Sequence, residues 1–133
     1  MAKPLAPDYY PGMSARITAQ NRKQFLQALR RQDDYWSECF GEDFYQLHFS
    51  DLFTKMWQED NQPVPRSRAY QFMAHLSEQT AKKYLNQAVA AGLLEEIPNP
   101  ADGRSRLIRL TADSSEKIRR WIDYSVKAYR QLL

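Results

Sequence analysis

A chain of 133 residues with a formal net charge of +3 has the size of one domain and can bury a core without metal or disulfide staples. Its single cysteine, Cys39, excludes an internal disulfide and points to a reducing, cytoplasmic setting. No apolar run approaches the roughly 18 residues of a membrane span, and no apolar signal-peptide core follows Lys3, so no membrane partner is expected.

Residues 1–16 carry Pro4, Pro7, Pro11 and Gly12 and read as an extended, mobile arm, with Tyr9 and Tyr10 as possible anchors on a partner. Residues 17–133 read as one domain. Thr18 is a good N-cap for a first helix, whose stripe is Phe25, Leu26, Leu29, Trp36 and Phe40 and whose stop is Gly41. Glu42 and Asp43 suit the first turn of a second helix, with Tyr45, Phe49, Leu52, Phe53 and Met56 on one face. That helix fades at Asp60-Asn61-Gln62-Pro63, which closes an N-terminal helical part, residues 17–62. Val64, between two prolines, has room for a very short strand.

Ser67 is placed to cap a third helix holding Tyr70, Phe72, Met73 and Ala74, and Leu76-Ser77 forms a turn. Ser77 caps a fourth helix, Glu78 to Ala91, which Gly92 stops. Its inward positions are Ala81, Tyr84 or Leu85, Ala88 and Val89. Leu93, Leu94 and Ile97 make one strand; Leu107, Ile108 and Leu110 make the next, with Ile108 expected on the face opposite the other two. Between them lies a turn-rich tip, Pro98 to Gly103. Thr111 caps a last helix, residues 112–133, with Ser114 and Ser115 as competitors. Its apolar stripe is Ile118, Trp121, Ile122, Ser125, Val126, Tyr129 and Leu133.

The order helix, turn, helix, strand, basic loop, strand over residues 63–111 is that of a winged helix-turn-helix. Charge supports this. Residues 1–60 hold 7 Lys/Arg against 9 Asp/Glu, a net of −2; residues 61–110 hold 7 against 4, a net of +3; residues 111–133 hold 5 against 3, a net of +2. The basic excess lies in the winged module and the last helix. A helix fits the DNA major groove, where each base pair shows a distinct donor and acceptor pattern. The fourth helix offers Ser77, Glu78, Gln79, Thr80, Lys82, Lys83 and Asn86 outward. Gln79 can pair with adenine, Lys82 or Lys83 can reach guanine or phosphate, and the hydroxyls of Ser77 and Thr80 suit phosphate oxygens. Arg104 and Arg106 flank the tip and, two apart on a strand, would share a face, with Asp102 able to salt-bridge either. Arg66 and Arg68 would clamp a phosphate from the start of the third helix.

Residues 63–111 resemble the winged-helix core of the MarR family of bacterial transcription regulators. The Leu76-Ser77-Glu78-Gln79-Thr80 helix start, the Ala91-Gly92-Leu93-Leu94-Glu95 stop, the Asp102-Gly103-Arg104-Ser105 wing and the Leu110-Thr111 exit carry the resemblance. It implies a mainly α fold with a two-stranded β wing, flanked by N- and C-terminal dimerisation helices. It also implies a homodimer that binds double-stranded DNA, usually as a repressor, and releases it on binding a small aromatic acid between the dimerisation and DNA-binding parts. By position, Gln79, Thr80, Lys82 and Lys83 would meet bases and phosphates, and Arg104 would be the wing arginine that enters the minor groove. Phe25, Leu29, Trp121, Ile122, Val126 and Tyr129 would form the dimer interface. The chain departs from the family at Gly103, where a second basic residue is common, at Ser115, near the usual glycine, and in its bulky third helix.

Other chemistries find little support. His48 and His75 are too sparse for a metal site, and no cofactor, phosphate loop, nucleophile elbow or triad pattern is present, so an enzyme is not expected. Cys39 beside Phe40 reads as a quiet core residue rather than an oxidation sensor. The acidic run Asp33, Asp34, Glu38, Glu42 and Asp43 reads as solvated surface. The aromatic set Tyr35, Trp36, Phe40, Phe44, Tyr45, Phe49, Phe53 and Trp57 reads as core or dimer interface before effector pocket. The rival readings are a winged helix that docks a protein, which the aromatic third helix favours, and a replication or phage-type DNA-binding factor.

Overall fold

A computed structural model describes residues 16–133; the expected arm, apart from Arg16, lies outside the described residues. Helix α1 spans Ala19–Phe40. It opens on a reciprocal capping box: the Thr18 hydroxyl accepts from the Asn21 N–H at 3.0 Å, and the Asn21 side chain accepts from the Thr18 N–H at 3.2 Å. Gly41 ends it at φ +83°, a conformation that favours glycine. Glu42 and Asp43 do not open the second α-helix. They head a short 3-10 turn, Glu42–Phe44, and α2 follows at Leu47–Gln58. The cause is a contact in space: the Trp36 indole N–H donates to the Phe44 carbonyl at 2.8 Å, which leaves Phe44 buried and Tyr45 outside the helix and exposed.

After α2 the chain reverses through Asp60 and Asn61, both in the left-handed region at φ +59° and +51°. Strand β1 is Val64–Pro65 and α3 is Arg66–Phe72. Helix α3 starts straight from the strand with Pro65 as its cap residue, so Ser67 sits inside the first turn and is not the cap. It ends at Phe72, whose carbonyl accepts from Lys55 Nζ at 3.0 Å; Met73 and Ala74 lie beyond the helix. Helix α4, Glu78–Ala90, opens on Ser77, whose hydroxyl accepts from the Thr80 N–H at 3.1 Å. It closes in a Schellman motif, with Gly92 at φ +78° and N–H groups of Gly92 and Leu93 reaching the carbonyls of Val89 and Ala88, both at 3.0 Å.

Strands β2, Leu94–Pro98, and β3, Arg106–Leu110, form the wing. The sheet has three strands rather than two: β1 adds to the other edge of β3, in the antiparallel order β1-β3-β2, with Val64 opposite Ile108 and Glu96 opposite Ile108 on the far side. Ile108 and Leu110 are both buried on the core face, and Leu107 lies half-buried on the other. That corrects the expected facing, and it is what the two-residue period of a strand demands. Thr111 caps α5, Ala112–Arg130, accepting from the Ser114 N–H at 3.3 Å. Ser114 is not the cap: it lies buried inside the first turn, and its own N–H is the one Thr111 accepts.

The core gathers Phe49, Leu52, Phe53, Met56, Met73, Leu85, Leu94, Ile108, Leu110 and Ile118. Helix α5 runs back along α1: the Trp121 indole N–H donates to the Gln32 carbonyl at 3.0 Å, the Tyr129 hydroxyl to Gln32 Oε1 at 2.8 Å, and Tyr124 stacks on Tyr35 at 4.5 Å. Asn61 extends the sheet just before β1 begins. Its side-chain amide donates to the Leu110 carbonyl at 3.1 Å and accepts the Leu110 N–H at 2.9 Å, as a paired strand would.

Two stability predictions follow from these contacts. Asn61→Ala removes both bonds and puts an alanine at positive φ, so the unfolding free energy from urea denaturation should drop by about 2–3 kcal/mol. Asn61→Gly should recover only the backbone part of that loss. His48 stacks on Tyr84 of α4 at 3.9 Å, and its Nε2 is buried without a partner among the described residues. Burial pushes its imidazole below the ordinary value of 6.5, with Asp51 pulling weakly the other way. The unfolded chain therefore takes up the proton more readily than the folded one. The stabilisation is fully present above pH 6.5 and is lost as pH falls through that value toward the folded pKa. Urea midpoints should drop more between about pH 7 and pH 5 in the native chain than in His48→Phe.

Candidate nucleic-acid interface

Helix α4 sorts its residues cleanly. Ala81, Leu85 and Ala88 are buried against the core, and Ser77, Glu78, Gln79, Lys82, Lys83, Asn86 and Gln87 are exposed, with Thr80 half-buried. On a helix, positions 79, 82, 83 and 86 fall on one face, so the polar row is continuous. The Ser77 hydroxyl does more than cap: it also donates to Thr80 Oγ1 at 2.9 Å, which ties the two hydroxyls together at the helix start.

The wing tip is held by short polar side chains. Asn99 Oδ1 accepts from the Ala101 N–H at 3.0 Å, and Asn99 Nδ2 donates to Ser105 Oγ at 2.9 Å. Asp102 Oδ1 accepts from the Arg104 N–H at 3.0 Å. Asp102 therefore shapes the tip through backbone rather than through the expected salt bridge, and the Arg104 guanidinium is left outside. Arg104 sits in the turn and β3 begins only at Arg106, so strand alternation does not relate the two arginines. Both are exposed. Sequence reasoning missed Asn99 as an organiser of the tip; its signal was an Asn-Pro pair at the end of a strand.

The seven cations of residues 61–110 fall into two groups. Arg66 lies 3.3 Å from Glu96, Arg68 lies 2.5 Å from Glu59, and Arg109 lies 2.7 Å from Glu95. Lys82, Lys83, Arg104 and Arg106 make no ion pair among the described residues. Arg66 also donates to Asn86 Oδ1, and Arg68 lies over the Phe72 ring, 5.2 Å from its centroid. The expected phosphate clamp of Arg66 and Arg68 is thus turned toward acceptors within the chain. The carboxylates were not foreseen because they lie far along the sequence or at the end of another helix. The four unpaired cations all belong to α4 and the wing.

The expected dimer residues divide as well. Phe25, Leu29 and Val126 are 46%, 37% and 43% exposed, beside exposed Ile17, Leu26 and Leu133. Trp121, Ile122 and Tyr129 are half-buried, Trp121 and Tyr129 through their bonds to Gln32. Two apolar hollows of about 590 and 430 Å³ share Leu132 and join these residues, Leu29 apart, into one surface. Of the aromatic set, Trp36, Phe40, Phe44, Phe49 and Phe53 form a buried stack of rings; Trp57 and Tyr35 are half-buried and Tyr45 is exposed. Trp36 and Tyr45 reach the edge of a cleft of about 410 Å³ between α1, α2 and α5, with Gln32, Asp33, Ser50 and Trp121. Cys39 is half-buried against the core beside Tyr35, and burial pushes its thiol up, away from thiolate chemistry. Among the described residues, no three His, Cys, Asp or Glu side chains are grouped to hold a metal, and no helix is long and apolar enough to cross a membrane.

No family model matches the sequence, and no curated protein matches it. Solved structures do match. A transcriptional regulator from Thermotoga maritima is similar with a TM-score of 0.60 at 17% identity, over 85% of this chain and 78% of that one. A cysteine-to-serine mutant of MarR from E. coli is similar with a TM-score of 0.57 at 16% identity, over 90% and 85%. BpsR of Bordetella bronchiseptica, whose DNA binding is regulated by 6-hydroxynicotinic acid, is similar with a TM-score of 0.51 at 15% identity, over 85% and 83%. The chain therefore has the fold of the MarR-type winged-helix transcriptional regulators.

Proposed function

We propose that this chain is a transcription regulator that binds double-stranded DNA as a homodimer. The observation that carries the reading is the separation of charge just described. Every cation of the winged module that points at a neighbouring element is neutralised there, and the four that are not lie on α4 and the wing. A protein-docking winged helix has no need to leave those four uncompensated, whereas phosphate binding does. The two α4 helices of a dimer would enter successive major grooves about one helical turn apart. Gln79 would read base edges, Lys82 and Lys83 would meet phosphate or guanine, Arg104 would enter the minor groove and Arg106 would hold the backbone.

The dimer reading rests on the apolar surface of exposed Phe25, Leu26, Leu29, Val126 and Leu133 with half-buried Leu132, along the first half of α1 and the end of α5. A continuous apolar surface of this kind on a small chain marks an association site. The cleft of about 410 Å³ is the place for a small aromatic effector. Its lining holds the Asp33 carboxylate and no lysine or arginine, so a neutral or basic ring suits it better than an aromatic acid.

Three substitutions test this reading. Lys83→Ala should weaken binding to every duplex and flatten the dependence of log K on log salt by about 0.9 per copy, about 1.8 for the dimer. Gln79→Ala should leave random-duplex affinity unchanged but lose about 1–3 kcal/mol of discrimination at one base position, read by binding-site selection. Phe25→Asp should convert a dimer to a monomer in sedimentation equilibrium while leaving helix content intact. A dimer that survives the change would place the interface elsewhere.

A further inference from the structure

Arg66 is the first residue of α3, yet its guanidinium faces two other elements. It donates to Asn86 Oδ1 on α4, through Nη1 at 3.2 Å and also through Nη2, and the same Nη2 lies 3.3 Å from the Glu96 carboxylate on β2 as an ion pair. The two partners stand 20 and 30 positions away in sequence and belong to the reading helix and the wing. Arg66 and Glu96 are only partly exposed, with side-chain accessibilities of 27% and 37%.

We propose that Arg66 is a positioning residue, a latch that fixes the angle between the reading helix and the wing, and that it does not contact DNA. The inference rests on the DNA-binding reading of α4 and the wing. A planar guanidinium is suited to the task, because its fork donates twice to the Asn86 oxygen while its charge pairs with Glu96. The latch has a second effect. Arginine has donors only, so Asn86 turns its oxygen inward and its two amide hydrogens away from Arg66. Asn86 is then a donor toward DNA. It suits phosphate oxygens or the acceptor edges of guanine and thymine, and it cannot make the two-way pairing with adenine, which needs both halves of the amide. Glu96 is a third part of the device: its negative charge, which would otherwise repel the duplex, is absorbed.

A latch and a phosphate contact predict opposite signs for Glu96→Gln. If Arg66 reached for phosphate, removing the nearby carboxylate would free it and tighten DNA binding. In the latch, Glu96→Gln weakens binding by about three- to tenfold, as Arg66→Met does, when compared at a salt concentration high enough to screen the variant's added net positive charge. Arg66→Met should also leave the salt slope on a random duplex of about 30 base pairs unchanged, where a lost phosphate contact lowers it by about 0.9 per copy, about 1.8 for the dimer. The double variant should be no weaker than either single one. Arg66→Lys, which keeps the charge but not the planar fork, should fail to restore affinity. Tighter binding by Glu96→Gln, or a flattened slope in Arg66→Met, overturns the proposal. A DNA-free measurement separates this from the regulator reading. The Asn86 side-chain amide resonances of the folded protein should shift in Arg66→Met, and unmoved resonances overturn the latch whether or not the native chain binds duplex. Absence of DNA binding by the native chain, with shifted resonances, would sink the regulator reading and leave the latch as a structural contact only.

Discussion

Strand β3 is paired on both edges, to β1 through Val64 and to β2 along its whole length, and Asn61 closes its inner end with two bonds to the Leu110 backbone. That double pairing is the constraint on which the module depends. It buries Ile108 and Leu110 under α2 and α3, and it seats Thr111 so that the α5 cap also donates to the Gly92 carbonyl at 3.1 Å. The end of α4, the root of the wing and the start of α5 are thereby held at one point. A two-stranded hairpin alone is marginal in water, and the third strand with its amide extension is what lets so short a wing keep a shape.

On that frame, charge is divided by position. Surface ion pairs contribute little stability individually, about 0–1 kcal/mol. The three pairs of the winged module matter more for what they offset: Glu59, Glu95 and Glu96 are each paired with an arginine, which leaves Glu78 of α4 and Asp102 of the wing tip as the module's carboxylates without an ion pair among the described residues. The cations left over stand on α4 and at the wing tip. A net charge of +3 for the whole chain conceals this, because the N-terminal helices carry the acidic excess. The tip itself is held by Asn99 and Asp102, whose side chains take up backbone N–H groups and leave Arg104 and Arg106 unencumbered.

Local chemistry was legible in the sequence. Thr18, Ser77 and Thr111 act as caps where a hydroxyl precedes a polar first turn, and Gly41 and Gly92 end their helices at positive φ. The order of elements, and the polar row of α4, followed from spacing alone. Contacts between distant residues were not legible. The 3-10 turn at Glu42–Phe44 depends on Trp36 reaching a carbonyl eight residues on, and the fate of Arg66 and Arg68 depends on carboxylates brought near only by the fold. The facing of Ile108 was available from the two-residue period and was misassigned. Asn61 looked like a loop residue, and only the folded sheet shows it standing in for a strand.

The central claim is that α4 and the wing form a phosphate-binding surface. Fluorescence anisotropy of the native chain on a random duplex of about 30 base pairs, titrated with salt, tests it most directly. The account predicts log K falling with log salt at a slope of about −4 or steeper, since each phosphate neutralised contributes about −0.9 and Lys82, Lys83, Arg104 and Arg106 stand ready in each copy. No binding at low salt, or binding that salt leaves unchanged, would contradict it.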